Sequence, residues 1–194
     1  MKLSKNDMVN YGAILVIVVS LASIGMQLTG FATVQDTGIV NVTIDSAAAI
    51  NFTIAFIDFG NGTVDAGPAG ATLDTEGTVT DGNWDTVSAN LTLENIGNEN
   101  VSLNFSSDED ADTYLGGTNP TFKYKVTADE SGACVDNTAS SYIDMNTTST
   151  EVCTTFPFAD AMDQISIDIE LYIPSDSFTG EQTATITATG TYGV

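Results

Sequence analysis

The chain divides into an apolar run near its N-terminus and a longer part in which apolar and polar residues alternate. Residues 11–28 contain no charged side chain. As a helix, this run of 18 residues would be about 27 Å long, enough to cross the hydrocarbon core of a bilayer. Lys2 and Lys5 precede it, and lysines beside a membrane segment favour the cytoplasmic side. The pattern predicts a cytoplasmic stretch over residues 1–10, a transmembrane anchor or signal segment over residues 11–30 and an extracellular domain over residues 34–194.

Three kinds of membrane segment fit the apolar run. An uncleaved anchor would stay in the bilayer. A secretory signal would be removed at a small-x-small site, of which residues 29–32 (TGFA) are an imperfect example. A pilin-type signal would be cut at Gly12-Ala13, although the basic residue expected there is missing. The anchor and the secretory signal fit better than the pilin signal, and residues 11–28 contact the membrane unless they are cleaved.

Beyond residue 33, apolar residues recur at every second position, which is typical of half-buried β-strands. No helix is predicted after Leu28. We expect seven to nine short strands, drawn from residues 39–44, 50–59, 71–73, 77–80, 87–94, 101–105, 121–127, 140–145, 165–173 and 183–189. The predicted fold is all-β, an antiparallel Ig-like or jelly-roll-like β-sandwich preceded by one N-terminal apolar helix.

One pair of neighbouring strands is predicted to form a β-hairpin. Residues 87–94 and 101–105 both alternate, and the turn formers Asn95, Gly97 and Asn98 lie between them. Such a hairpin would present one face to the core and one face to water.

The exported part is strongly acidic. The chain has 26 acidic residues against four lysines, a formal net charge of −22. All of the acidic residues except Asp7 lie beyond Thr33, where only Lys123 and Lys125 oppose them, which gives −23. Such a surface repels nucleic acid and anionic lipid, so neither is expected as a partner.

Catalytic chemistry has little support in the composition. The chain has no histidine, which excludes Ser–His and Cys–His pairs and the HExxH zinc site. Carboxylate pairs can hydrolyse glycosides, but acidic residues this frequent do not single out a pair. Trp84 and the tyrosines beyond residue 100 fit a sugar-binding surface, and more often such residues belong to the core or rim of a sandwich. We therefore predict a non-enzymatic protein without catalytic residues.

Two cysteines, Cys134 and Cys153, are present. In an exported chain an even number of cysteines predicts a disulfide, here closing a short loop.

Asn-x-Ser/Thr sequons are more frequent than random placement would give, which predicts N-glycosylation of an exported protein. The predicted sites are Asn41, Asn51, Asn61, Asn90, Asn100, Asn104 and Asn146.

One acidic stretch has the spacing of a calcium-binding loop. Asp108, Asp110 and Asp112 occupy positions 1, 3 and 5 of such a loop, but Thr113 and Asn119 replace the glycine and glutamate of an EF-hand. The alternatives are a looser Ca²⁺ site and a solvated acidic loop. Apart from this Ca²⁺, no cofactor is predicted.

Two stretches resemble parts of known surface proteins. Residues 90–104 (NLTLENIGNENVSLN) resemble a hairpin of secreted Ig-like domains found in archaeal surface proteins and in biofilm fibre subunits of the TasA type. Residues 172–187 (YIPSDSFTGEQTATIT) resemble the closing hairpin of such domains, and the leader ending in residues 28–32 resembles those of small archaeal surface proteins. The resemblance implies an exported sandwich. It also implies assembly by donation of an N-terminal strand, for which residues 39–44 would serve if the anchor were removed.

The sequence predicts a structural protein of the cell surface, displayed on the outer face of the membrane or secreted into a filament or surface layer. Its expected partners are copies of itself or other surface proteins. The alternative is a membrane-anchored binding or adhesion module for a glycan or a partner cell.

Overall fold

The computed structural model of the protein describes residue 39 and residues 41–192. The predicted anchor or signal segment, residues 11–30, lies outside this part. The chain separates into two units, Met1–Thr43 and Ile44–Val194, and the strands of the described residues all lie in the second. Within the described residues, no helix has the length and apolar character that crossing a membrane requires.

The regular secondary structure of the described part is almost all β-strand, as predicted. Its one helix, α1, is a single turn. In chain order the elements are β1 (Ile50–Ile54), β2 (Gly70–Asp74), β3 (Val79–Thr80), β4 (Leu91–Asn95), β5 (Val101–Ser107), α1 (Ala111–Tyr114), β6 (Thr121–Ala128), β7 (Ile143–Asp144), β8 (Thr150–Phe156), β9 (Gln164–Pro174) and β10 (Ile186–Thr191).

The strands form two antiparallel sheets. The larger sheet has seven strands in the order β1-β4-β9-β2-β3, and β6 joins the other edge of β9 and carries β7. The smaller sheet has three strands in the order β10-β5-β8. Strand β9 is the centre of the larger sheet, because it pairs with β2, β4 and β6.

Apolar side chains of both sheets belong to one hydrophobic core. From the larger sheet, Leu93, Tyr124 and Ile167 are buried, and from the smaller sheet, Leu103 and Phe105 are buried. The ring of Phe105 packs edge-on against that of Tyr124, with 5.7 Å between centroids. Burial of such side chains contributes roughly 1.5–3 kcal/mol each, so this contact between the sheets is a major part of the stability.

Both predicted hairpins are wrong, although most of their strands exist. Strand β4 pairs with β1 and β9, whereas β5 pairs with β8 and β10 in the other sheet. In the same way β9 belongs to the larger sheet and β10 to the smaller sheet. Each connection therefore crosses from one sheet to the other. The two strands joined by such a connection both present their apolar face to the same core. Their apolar and polar residues therefore alternate as in a hairpin, although the two strands do not pair with each other.

Several boundaries differ from the prediction. Residue 39 and residues 41–44 have no regular secondary structure, so no strand forms there within the described residues. The strand predicted over residues 50–59 ends at Ile54, and residues 87–90 precede β4 rather than belonging to it. Strand β8 and helix α1 were not predicted. Helix α1 begins with a capping box, in which Asp110 accepts a hydrogen bond from the backbone of Thr113.

Strands β2 and β4 lie one after the other along the same edge of β9. Strand β2 pairs down to Asp74 opposite Glu170, and β4 begins with Leu91 opposite Ile167. Thr75 lies at the break between them. Its backbone N–H donates to the carbonyl of Ile169, and its hydroxyl accepts from the N–H of Ile169 at 3.0 Å. A side-chain hydroxyl thus replaces one backbone partner and continues the hydrogen bonding of β9 across the break.

Candidate functional site

One side of the molecule, which we call the open side, is formed by the outer edges of β1 and β10. Within residues 41–192, β1 pairs only with β4 and β10 pairs only with β5. The two strands approach each other where Ile50 lies beside Gly190. Unpaired strand edges are sites at which another strand can add.

Apolar side chains of the open side are incompletely covered. Phe52 and Ile57 of the β1 region and Ile186 of β10 are only half-buried, although they pack against the core. Farther along, Ile54 is 47% exposed and Phe56 is 77% exposed. An added strand that covered these side chains would gain about 25 cal/mol for each square ångström of apolar surface removed from water.

The opposite side is closed by residues 133–146. Near the smaller sheet, Val135 donates its N–H to Thr155, and Thr138 donates its N–H to Val152. Near the larger sheet, Ala139 accepts from the N–H of Val126, and β7 pairs with β6. The same segment therefore covers the outer edges of both β8 and β6. Among the described residues, no segment covers the edges of the open side in this way.

The disulfide predicted between Cys134 and Cys153 is confirmed. It joins the closing segment to β8, with 5.2 Å between the Cα atoms. The loop spans 19 residues, and closing a loop of this size stabilises the fold by roughly 3 kcal/mol in the chain-entropy model.

A polar cluster covers the outer face of β9 and was not predicted. Asp168 is only 8% exposed. It accepts a hydrogen bond from the hydroxyl of Thr75, and its other oxygen lies 3.6 Å from Lys125 Nζ. Lys125 also pairs with Glu76 at 2.8 Å and lies 4.9 Å from the ring centroid of Tyr142. The tyrosine hydroxyl donates to Glu76 at 3.1 Å, which closes the network.

The contacts of this network favour the charged forms of Lys125 and Glu76 and the neutral form of Tyr142. Burial acts to lower the pKa of Lys125, but the hydrogen bond to Glu76 and the charge of Asp168 outweigh it, so the pKa is raised. The hydrogen bond from Lys125 lowers the pKa of Glu76. Burial and the charge of Glu76 raise the pKa of Tyr142 well above its ordinary range. Lys125 therefore stays protonated and acts as a counter-ion, since an amine needs a lowered pKa to serve as a nucleophile.

A shallow polar depression of about 400 Å³ adjoins this network. Glu76, Asp129 and Asp168 line it together with Ser166 and Asn90. The hydroxyl of Ser166 donates to the Asp129 carboxylate at 2.7 Å, so two of the polar groups already satisfy each other. Carboxylates and hydroxyls in a depression of this kind can accept hydrogen bonds from a polar, uncharged ligand such as a sugar.

The surroundings of Asp163 disfavour the charged form of its carboxyl group. Burial raises the pKa of its side chain, and the negative charges of Glu130 and Glu94 raise it further. The backbone N–H of Asp163 donates to Glu130 at 2.9 Å, which holds the two residues together.

The predicted glycosylation sites lie on the surface. Asn41, Asn51, Asn61, Asn100 and Asn146 are exposed, and Asn90 and Asn104 are half-buried. Asn104 lies on β5 between Glu151 and Thr189 of the flanking strands, and its side-chain oxygen has no hydrogen-bond partner in the described part. The five exposed sequons are therefore the more accessible sites, and glycosylation itself stays a prediction.

The calcium candidates are used for local structure. Asp108 accepts from the backbone N–H of Thr185, a contact that lowers its pKa, and Asp110 caps helix α1, which lowers its pKa in the same way. Asp112 is exposed in the first turn of that helix. Among the described residues, no group of three or more Asp, Glu or Cys side chains is arranged to hold a metal ion. The Ca²⁺ site stays a prediction without support from this arrangement.

The aromatic residues considered for a sugar-binding surface differ in their environments. Trp84 is half-buried against the backbone of Gly62 and Gly82, where a side chain on either glycine would overlap its ring. Tyr124 lies in the core and Tyr192 is exposed. These positions fit the core-and-rim interpretation better than a sugar-binding platform.

The network around Lys125 had a detectable signal in the sequence. Lys123 and Lys125 are two positions apart and therefore share one face of β6, and Asp168 and Glu170 share one face of β9 in the same way. Their pairing across the two strands places each lysine opposite a carboxylate. The contribution of Thr75 had no such signal, because it depends on the break between β2 and β4.

Comparisons of the chain with protein-family models, with curated proteins and with solved structures gave no match. The resemblance of residues 90–104 and 172–187 to secreted Ig-like domains stays a prediction. The function is therefore inferred from the arrangement of this chain's own residues.

Proposed function

We propose that this protein is a non-catalytic structural subunit of the cell surface: an exported Ig-like or jelly-roll-like β-sandwich that assembles with copies of itself into a filament or surface layer. The observation that carries the proposal is the open side. It combines two unpaired strand edges with apolar side chains that the described residues leave partly uncovered. A soluble domain ordinarily protects such edges, so an unprotected pair is best explained by a partner that occupies it.

The proposed occupant of the open side is an extended segment of a second copy. Val40, Val42 and Ile44 alternate with polar residues, as in a strand with one apolar face. Ile44 is 79% exposed and has no regular secondary structure. Residues 39–44 thus have the pattern of a strand but form none within the described residues, and the outer edges of β1 and β10 have no neighbouring strand there. Both observations support addition of residues 39–44 to the open side of the next copy.

Other features support an exported location. The apolar run over residues 11–28, the seven sequons and the cysteine pair are those of a chain that leaves the cytoplasm. The disulfide at Cys134 and Cys153 is consistent with an oxidising compartment.

The test compares two lysine substitutions on β10. Ala188→Lys places a charge on the inward, half-buried face of the open side, and Thr189→Lys places the same charge on the outward face of the same strand. We expect the unmodified protein and Thr189→Lys to form regular polymers by light scattering and negative-stain electron microscopy, and Ala188→Lys to stay monomeric with an unchanged circular dichroism spectrum. Monomers of all three proteins under every condition would refute assembly.

A second candidate function is binding of a glycan, supported by the polar depression at Asp129, Ser166 and Asn90. The test is a glycan array with Ser166→Ala and, as control, Ser102→Ala on the smaller sheet. Binding that Ser166→Ala alone abolishes, by a protein that remains monomeric, would favour this function over assembly.

A further inference from the structure

The two sheet edges on the closed side are covered by the chain itself, and the cover near β8 has the form of a short added strand. Val135 and Thr155 form an antiparallel bridge. Three backbone hydrogen bonds join the two segments: from Val135 N–H to Thr155, from Thr154 N–H to Val135 and from Thr138 N–H to Val152, at 2.9–3.0 Å. The β8 edge is therefore shaped to accept an extended chain.

Side chains hold this cover in place. The hydroxyl of Thr138 donates to the carbonyl of Glu151 at 2.8 Å. The hydroxyl of Thr154 donates to the Asp136 carboxylate at 3.0 Å. The disulfide adds a covalent bond between Cys134 and Cys153, in the middle of the covered edge.

We propose that residues 133–139 are a disulfide-locked edge cover, which closes a second strand-addition site on β8 against the extended segment of another copy. The inference rests on the proposed function. With β8 covered and β10 open, the smaller sheet has one usable edge. When one donated strand occupies the open side, each copy accepts one strand and donates one, a head-to-tail contact that produces an unbranched chain. If the β8 edge were open as well, a copy would accept two strands, and the assembly would branch or aggregate.

The lock is tested first by hydrogen exchange. In Cys134→Ala/Cys153→Ala, the amides of Val135, Thr138 and Thr154 should exchange about a hundredfold faster, the factor that corresponds to roughly 3 kcal/mol of lost loop constraint. Their exchange should also become insensitive to low denaturant, as expected for local opening, whereas the amides joining β6 to β9 should remain sensitive. An equal acceleration of all these amides would mean that only global stability was lost, and would overturn the proposal.

A second variant decides the question if the cysteine variant does not fold. Thr138→Val keeps the disulfide and the side-chain volume but removes the hydrogen bond to Glu151. We expect roughly fivefold faster exchange at Val135, Thr138 and Thr154 only, the factor for one neutral hydrogen bond of about 1 kcal/mol. Unchanged exchange at these amides would show that the Thr138 hydroxyl does not hold the cover on β8, and would contradict the proposal.

The occupant is tested by combining substitutions. Ala188→Lys blocks the open side, so this variant should be monomeric, and adding Cys134→Ala/Cys153→Ala should restore association through β8, measured by light scattering. A combined variant that stays monomeric while its cover amides exchange rapidly would exclude β8 as a strand-addition site. If the unmodified protein does not assemble, the proposed function fails, while the exchange measurements still decide whether the cover is locked.

Discussion

Replacing Thr75 with valine should destabilise the protein by about 3 kcal/mol, although the two side chains have nearly the same shape. The Thr75 hydroxyl accepts from Ile169 N–H at 3.0 Å and donates to Asp168 at 3.2 Å, and both contacts are buried. Valine would leave a buried N–H without an acceptor, at a cost of about 1–3 kcal/mol, and would remove a hydrogen bond to a charged group worth about 1.5–3 kcal/mol. The two costs sum to about 2.5–6 kcal/mol, and because Asp168 retains Lys125 as a partner, the loss should lie near the lower end, at about 3 kcal/mol.

Urea denaturation followed by circular dichroism measures this change, and the thermal midpoint should fall by about 6–12 °C. Thr75→Ser keeps the hydroxyl and should recover most of the loss. Thr72→Val, a half-exposed position on β2, is the matched control and should change stability by less than about 0.5 kcal/mol. Equal effects of Thr75→Val and Thr72→Val would refute the role given to the hydroxyl.

Three further outcomes are expected. Asp163→Asn should raise the thermal midpoint at pH 7, because the folded state raises the pKa of this carboxyl and so disfavours its charge. The gain should decline as the pH falls below that raised pKa and be gone below the ordinary value of 3.8, and a constant gain would contradict it. Asp176→Asn should instead lower the thermal midpoint at pH 7. The side-chain and backbone hydrogen bonds from Thr118 lower the pKa of Asp176, so their stabilisation exists above its ordinary value of 3.8 and vanishes as the pH falls through the folded value; melting curves that differ equally at pH 7 and pH 2 would exclude this. Gly62→Ala should displace the Trp84 ring, which a Cβ would overlap, shifting tryptophan fluorescence and lowering stability by about 1–3 kcal/mol; an unchanged spectrum would refute the packing.

Alternation predicted where most strands lie, but not which sheet they join. Leu91 and Leu93 of β4 and Leu103 and Phe105 of β5 all point to the core, so the pattern was the same for a hairpin and for a crossing between sheets. Only the pairing of β5 with β8 and β10, between residues distant in sequence, separates the two. Such pairing is fixed by the packing of the whole domain, and it leaves no local pattern in a strand.

The disulfide was predictable because the chain has an even number of cysteines and an N-terminal pattern that predicts export. The burial of polar residues on the outer face of β9 was not predictable. Ser166 and Asp168 alternate with isoleucines as solvent-facing residues would, yet both are buried, because Asp129 and Thr75 cover them. A polar residue on a strand predicts the outward face, but whether another segment covers that face depends on connections that the alternation does not record.

The two lysines of β6 have a consequence for proteolysis of the folded domain. Beyond Lys5, trypsin-like proteases can cleave only after Lys123 or Lys125, since the chain has no arginine. Both lysines lie within a paired strand and are bound to carboxylates, Lys123 to Glu170 and Lys125 to Glu76 and Asp168. A protease of this class needs an extended, accessible segment, so it can cut here only after the larger sheet opens. The same pairing that neutralises two charges thus protects the folded domain from proteases of this class.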